Sequence, residues 1–451
     1  MLPSYLSREE IQEQTFAEFG SERLTRLCHA VGVDDAGPWV RAFQRLSRPW
    51  GDWRIGAEPR WYPSILSDDH APFEFSTAFS AAATELQLYF EAQGGEPPTL
   101  MSNMETSVGL LEAIARENAL SLERWNSVKD LFLPPSPVGL FTLLFGATWA
   151  PSKPIRYKLY LNPQILGPDA TAELMREAMG RLGFADAWAA ACEPRAGRSP
   201  KLDELMYLCL DLSADRAARV KVYRRHYQAT VLQLDAIASA GQDYLPGEAL
   251  RFYSLLAEQP GPFLAKPPIT SLTFREGDAR ASSVTLDFPL SSYVPSDQVA
   301  SDRIRRCFRA YGLDPSRYEE ALRAVATRPL DRGNGIHAHV TLRRVDEGPR
   351  LTTYFATEAY PLETLLWAPA PEAPPNSVRI GPPSNGARVM PPSSRRWAAR
   401  ADEPSVTPAS VPPPGPASRA PITLRVGPAT MPPPSSSRLS PSQRVPLIRS
   451  H

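Results

Sequence analysis

Apolar and polar positions alternate in two different rhythms along most of this chain. Over residues 9–31, Ile11, Phe16, Phe19, Leu24, Leu27 and Val31 recur at roughly helical spacing, and Ser7 stands where an N-cap belongs. The same rhythm predicts helices over 102–117, 171–182, 247–257, 297–311 and 317–326. Between them the period drops to two, the mark of strands whose alternate side chains face opposite sides. These strands come in pairs: 73–79 with 85–91, 140–149 with 155–161, 205–212 with 219–227, 269–275 with 282–288, and 335–344 with 350–356. Short turn-rich links such as Glu347-Gly348-Pro349 join the members of each pair.

Ten antiparallel strands in this order predict an α+β fold, a closed β-barrel ringed by α-helices, which leaves no sheet edge exposed. An open sheet is the alternative, and the regular recurrence of the hairpins favours closure.

Composition divides the sequence. The 451 residues hold 49 Lys+Arg and 49 Asp+Glu, a balance that argues against a histone-like nucleic-acid binder or an acidic solvating protein. From 368 to the end there are 84 residues, of which 21 are Pro and ten are Arg, with Glu372, Asp402 and Glu403 the acids, giving 10 − 3 = +7. The preceding 367 residues therefore carry −7. A stretch so poor in large apolar residues cannot offset its ordering entropy, so 368–451 is expected to be a disordered Pro/Ser/Arg-rich tail and 1–367 the folded domain. Its PxxP spacings leave room for a weak proline-recognising partner.

The start of the sequence lacks a basic segment followed by an apolar core, and the weakly polar run 138–150 is too short to span a bilayer. Cys28, Cys192, Cys209 and Cys307 lie far apart without a CxxC pair, as free thiols in a reducing cytoplasm would. His337 and His339, two apart on an expected strand, would share a face, but no acid or Cys partner is evident for a metal. A monomer or homodimer is expected, with no nucleic acid and no membrane among its partners.

Two strands carry the same five-residue face. Arg156-Tyr157-Lys158-Leu159-Tyr160 and Arg219-Val220-Lys221-Val222-Tyr223 both read R-x-K-x-Y, so Arg, Lys and Tyr point one way and apolar residues the other. One such strand would ordinarily turn its charges to water. Two in corresponding hairpins, each with an apolar opposite face for the helices, place four cations and two phenols inside the barrel. That convergence suits a multiply charged anion, diphosphate being the natural candidate. No DDxxD run and no Walker loop is present, so side chains rather than Mg²⁺ would meet the charge.

Several segments then resemble a known family. Leu66-Ser-Asp-Asp-His-Ala-Pro-Phe-Glu74-Phe-Ser76, Thr15-Phe-Ala-Glu-Phe-Gly, Lys158-Leu-Tyr160-Leu-Asn-Pro163, Arg219-Val-Lys221-Val-Tyr223 and Leu351-Thr-Thr-Tyr354-Phe resemble the motifs of the dimethylallyltryptophan synthase family of aromatic prenyltransferases, of a bacterial kind. The resemblance spans about 16–360. It implies the family's barrel of five ααββ units (ABBA, or PT-barrel) and an alkyl transfer in secondary metabolism and alkaloid biosynthesis. An allylic diphosphate, dimethylallyl or longer, would sit against Lys158, Tyr160, Arg219, Lys221, Tyr223 and Tyr354. An indole acceptor would meet Glu74, with Ile65 and Leu66 beside it. No cofactor is implied, and Mg²⁺ is not expected to be essential.

The match has departures. Gln87 stands where a basic residue is usual, and Leu143-Leu-Phe145-Gly-Ala-Thr148 offers no Lys or His to accept a proton. Thr285-Leu-Asp287 replaces a usual Gln/Lys and Tyr, and Glu204-Leu-Met206-Tyr207 lacks the Arg that grips a tryptophan carboxylate. The acceptor therefore leans towards a modified indole such as a cyclic dipeptide. A phenolic acceptor, or a non-catalytic anion- or nucleotide-binding barrel, are the alternatives.

Overall fold

The computed structural model describes residues 5–59, 64–151 and 153–360. The expected boundary at 367/368 and the tail lie outside them.

All ten expected strands form, with ends shifted by at most a few residues. They are β1 (Phe73–Phe79), β2 (Thr84–Glu91), β3 (Leu143–Trp149), β4 (Arg156–Leu161), β5 (Asp203–Asp211), β6 (Val220–His226), β7 (Ile269–Phe274), β8 (Ser283–Phe288), β9 (His337–Val345) and β10 (Gly348–Phe355). Each pairs antiparallel with its neighbours in sequence, and β10 closes the barrel on β1 through the register Phe75↔Phe355 to Phe79↔Leu351. Closure satisfies the N–H and C=O groups that a sheet edge would expose.

Helices complete the repeat. The structure has α1 (Arg8–Glu13), α2 (Phe16–Ala30), α3 (Gly37–Leu46), α4 (Leu100–Asn118), α5 (Glu123–Phe132), α6 (Thr171–Arg181), α7 (Ala185–Cys192), α8 (Val231–Ala238), α9 (Glu248–Ala257), α10 (Asp297–Ala310) and α11 (Ser316–Val325). The single helix expected over 9–31 is two. Thr15 breaks it: its hydroxyl accepts from the Glu18 N–H, and the Glu18 carboxylate accepts from the Thr15 N–H at 2.8 Å, a capping box that starts α2 afresh. Helices α3, α5, α7 and α8 were not expected from the period. With them every hairpin follows at least two helices, and α11 packs on α2, joining the last unit to the first.

The barrel wall separates two apolar regions. Outward residues such as Phe73, Phe145, Trp149, Leu210, Val222 and Leu342 join the helices in one buried cluster. Inside, Tyr89, Phe141, Leu144, Tyr160 and Cys209 form another, flanked by Ile65, Leu66, Tyr207, Tyr223 and Tyr354. Both R-x-K-x-Y strands turn as expected, with Leu159, Val220 and Val222 in the outer cluster and Lys158, Tyr160, Lys221 and Tyr223 within. Gly146 on β3 makes room there. It pairs with Lys158, and a β-carbon would stand 3.3 Å from the Tyr160 ring.

Candidate active site

The inward faces of the strands change character along the barrel axis. On β6 and the residue before it, the inward side chains run Arg219, Lys221, Tyr223, Arg225; on β9 they run Arg343, Thr341, His339; on β8 they run Thr285, Asp287. One end is cationic and the other mixes acids and a histidine with Arg225. Tyr89, Tyr223 and Tyr354 line both chambers and form the border between them. Their rings belong to a series of aromatic contacts: Tyr89–Tyr354 at 5.6 Å, Tyr89–Tyr160 at 5.9 Å, and Tyr160–Tyr223 at 5.9 Å.

The cationic chamber, about 470 Å³, is lined by Lys158, Arg219, Lys221, Arg343, Arg350 and Arg156. Two acids neutralise part of it. Asp211 binds Arg219 at 2.8 Å, and Glu85 takes Arg156 at 2.8 Å together with Arg350. Among the described residues, neither the Lys158 nor the Arg343 side chain has an ion pair or hydrogen bond, and the one hydrogen bond of the Lys221 ammonium is to the Thr285 hydroxyl at 3.3 Å. The consequence is electrostatic strain. Burial and the neighbouring Arg219 pull the Lys158 ammonium down to about 8. Burial, then Arg219, Arg343 and Lys158, pull Lys221 well below its ordinary value, and burial with Arg350 and Arg219 pulls Arg343 to about 10. Mutually repelling buried cations of this kind are relieved by an anion.

The other chamber, about 800 Å³, is lined by tyrosines and by Ile65, Leu66, Leu144 and Met206. Glu74 projects into it from β1 and is 6% exposed, with Oε2 buried and unpartnered among the described residues. Burial drives its carboxyl well above the ordinary range. Lys266 opposes that shift, and Asp68, Asp287 and Asp69 reinforce it. Lys266 itself is bound to Asp68, and Arg225 to Glu204 at 3.3 Å. Asp287 accepts from His339 Nδ1 at 2.7 Å.

Every expected site residue faces one of these chambers. Lys158, Arg219 and Lys221 line the cationic one; Tyr223 and Tyr354 line both; Glu74, Tyr160, Ile65 and Leu66 line the other. The two histidines do not share a face. His337 and Ala338 together stand opposite Phe355, a bulge that turns His337 outward to Asp297 (2.8 Å) and Tyr318 (2.9 Å), while His339 stays inside.

Other lining residues were not anticipated. Arg343 and Arg350 face each other across β9 and β10 and supply the positive charge that Gln87 does not. Their signal was the period-two run His339-x-Thr341-x-Arg343. Arg225 and Lys266 also line the second chamber, and Arg225 brings a guanidinium to it from β6 rather than β5. Among the described residues no three His, Cys, Asp or Glu side chains group as a metal site, and no helix is long and apolar enough to cross a membrane.

Comparison with known proteins fits this arrangement. The tryptophan dimethylallyltransferase family model matches residues 47–321. The 6-dimethylallyltryptophan synthase of Micromonospora olivasterospora, solved with DMASPP and Trp, is 34% identical, with a TM-score of 0.73 over 77% of this protein and 98% of that one. PriB in its binary complex with product diphosphate is 29% identical, with a TM-score of 0.71 over 77% and 97%. The 5-dimethylallyltryptophan synthase of Streptomyces coelicolor is 27% identical, with a TM-score of 0.71 over 77% and 99%. A cationic chamber, a border of tyrosines and a buried glutamate in a ten-stranded barrel thus accompany a family match over most of the folded sequence: the chain belongs to the tryptophan dimethylallyltransferase family of aromatic prenyltransferases.

Proposed function

We propose that this protein transfers a dimethylallyl group from its diphosphate to the indole ring of tryptophan or of a compound derived from it. The observation that carries the proposal is the division of one barrel interior into a cationic chamber and a tyrosine-bordered chamber holding Glu74. The diphosphate would lie against Lys158, Arg219, Lys221 and Arg343, which stabilise the charge that grows as the allylic C–O bond breaks. Tyr89, Tyr160, Tyr223 and Tyr354 would flank the allyl cation, each ring contact contributing roughly 0.5–2 kcal/mol once water is excluded. The indole N–H would donate to Glu74, which orients the ring and enriches it in electrons. Arg225, which lines this chamber, and its ion-pair partner Glu204 suit the carboxylate and ammonium of an amino acid. The relatives solved with DMASPP and Trp support this choice of donor and acceptor.

The test is incubation with dimethylallyl diphosphate and an acceptor panel of L-tryptophan, tryptophan cyclic dipeptides and phenols, with and without EDTA. Prenylated indole formed equally in both conditions is expected, because lysine and arginine side chains do the work of a metal. No prenylated product with any acceptor would refute the proposal, and product only with added Mg²⁺ would refute its metal independence. Product masses and the site of attachment then identify the acceptor.

We place the catalytic domain within 1–367 and the protein in the cytoplasm, where its four free cysteines would stay reduced. The described fold is tied off before that limit: Asp69 Oδ2 accepts from the Thr357 hydroxyl at 2.8 Å and the Ala359 N–H at 2.7 Å. Deleting 368–451 should leave kcat and KM unchanged. Lost turnover in a truncation with an unchanged melting temperature would show that the tail serves the reaction.

A further inference from the structure

We propose that Asp287 and His339 form the base that removes the ring proton after the carbon–carbon bond is made, an inference that rests on the proposed prenyl transfer. The strand expected to supply a Lys or His contributes Leu144 to the chamber, so the acceptor must come from elsewhere. His339 lines that chamber from β9, directly across from Tyr354 on β10, with ring centroids 6.3 Å apart. It therefore sits beside one of the rings that border the donor chamber, at the level where the new bond forms. Its Nδ1 lies 2.7 Å from Asp287 Oδ1, and a carboxylate can only accept, so that nitrogen carries the hydrogen. Nε2 is then the free lone pair, held in orientation by Asp287.

The tyrosines of the chamber are held in their neutral, proton-bearing form by burial, and its other charged groups are committed. Lys266 is bound to Asp68, Arg225 to Glu204, and Glu74 is assigned to the indole N–H. The cationic chamber lies beyond the tyrosines.

The step balances. The allylic C–O bond has broken with its electron pair on the diphosphate, and the ring carbon has bonded to the allyl carbon, leaving a cationic ring with a tetrahedral carbon. Nε2 takes the hydrogen from that carbon as a proton. The C–H electron pair returns to the ring and restores its aromaticity. Asp287 stabilises the imidazolium, whose proton passes to solvent when the product leaves.

The experiment compares L-tryptophan with its ring-deuterated form in the unaltered protein, His339→Gln and Asp287→Asn, using dimethylallyl diphosphate. In the unaltered protein a positioned base should keep proton removal faster than cleavage of the allylic C–O bond, so the two substrates are expected to react equally fast. His339→Gln should lower kcat by roughly 10²–10⁴, the usual contribution of a general base, with the KM for donor unchanged. Deuterated tryptophan should then react more slowly than the protonated form, because proton removal has become limiting. Asp287→Asn should show the same isotope effect with a smaller loss of kcat, and decides the matter if His339→Gln does not fold. A folded variant, with its melting temperature still raised by inorganic diphosphate, that is slow without an isotope effect would overturn the dyad's role. Absence of prenylated tryptophan from the unaltered protein would overturn the function itself, and the dyad with it.

Discussion

Replacing Lys221 by methionine is expected to remove nearly all turnover while raising the melting temperature of the empty protein. Lys221 is 8% exposed, and its ammonium lies 5.0 Å from the centroid of the Tyr223 ring. It has no carboxylate partner among the described residues, and burial with Arg219, Arg343 and Lys158 pulls it well below the ordinary lysine value. A lysine depressed in the folded state holds fewer protons there than in the unfolded state over the interval between the two values. Stability therefore rises with pH across that interval and falls as the group is forced to charge. Methionine removes this cost, so Lys221→Met should melt higher than the unaltered protein near neutral pH.

The diphosphate reverses the balance. It supplies the missing anion, and a buried charge-stabilising donor of this kind typically accounts for about 10²–10³ in rate. The same substitution should therefore lower kcat/KM by roughly that factor, with the donor's KM bearing part of the loss. The stabilisation given by inorganic diphosphate should also decline as pH rises through about 8, where Lys158 loses its proton. Thermal shifts measured with and without diphosphate between about pH 7 and 9 test this. A Lys221→Met protein that melts lower, or that keeps its full turnover, would contradict the role assigned to this lysine.

How much of this was legible in the sequence depends on what each residue's neighbours are. The strands were legible because their outward faces are mostly apolar, as at Phe73/Phe75 and Val220/Val222, and the cationic chamber was legible because R-x-K-x-Y occurs twice. Arg343 was hidden by Arg344 beside it: the doublet reads as a solvated surface, whereas Arg344 pairs with Glu248 of α9 and Arg343 faces inward. Helices α7 and α8 are apolar nearly all round, so the period of 3.6 that marks an amphipathic helix is blurred in them. The break at Thr15 was written in its capping box but bridged by continuous hydrophobic spacing. His339 and Asp287 are 52 residues apart and meet only through the register of β8 and β9, which a single sequence does not display. The bulge that parts His337 from His339 belongs to the same class of information, since it exists only in the pairing of two strands.

Glu74→Gln is expected to separate the two halves of the site. The amide keeps the volume of the side chain, so the packing of Phe73 and Phe75 against the helices, on the other face of β1, should not change. What is lost is a charged acceptor for the indole N–H. Hydrogen bonds to charged groups contribute about 1.5–3 kcal/mol, so kcat/KM for the acceptor should fall roughly 10- to 150-fold. The melting-temperature shift given by inorganic diphosphate should be unaltered, because Glu74 lines the chamber on the far side of the tyrosines from Lys158 and Lys221. The stability effect has its own sign. Burial raises the Glu74 carboxyl well above its ordinary value, so the folded protein holds its proton where the unfolded one has already lost it. The unaltered protein accordingly loses stability as pH rises from the ordinary carboxylate range to that raised value. Glutamine has no proton to lose, so the advantage of Glu74→Gln in melting temperature should grow with pH over that interval. The same carboxylate is thus costly to the empty fold and useful once an N–H is present to meet it. A variant whose diphosphate shift falls as far as its acceptor turnover would show that Glu74 serves the donor instead.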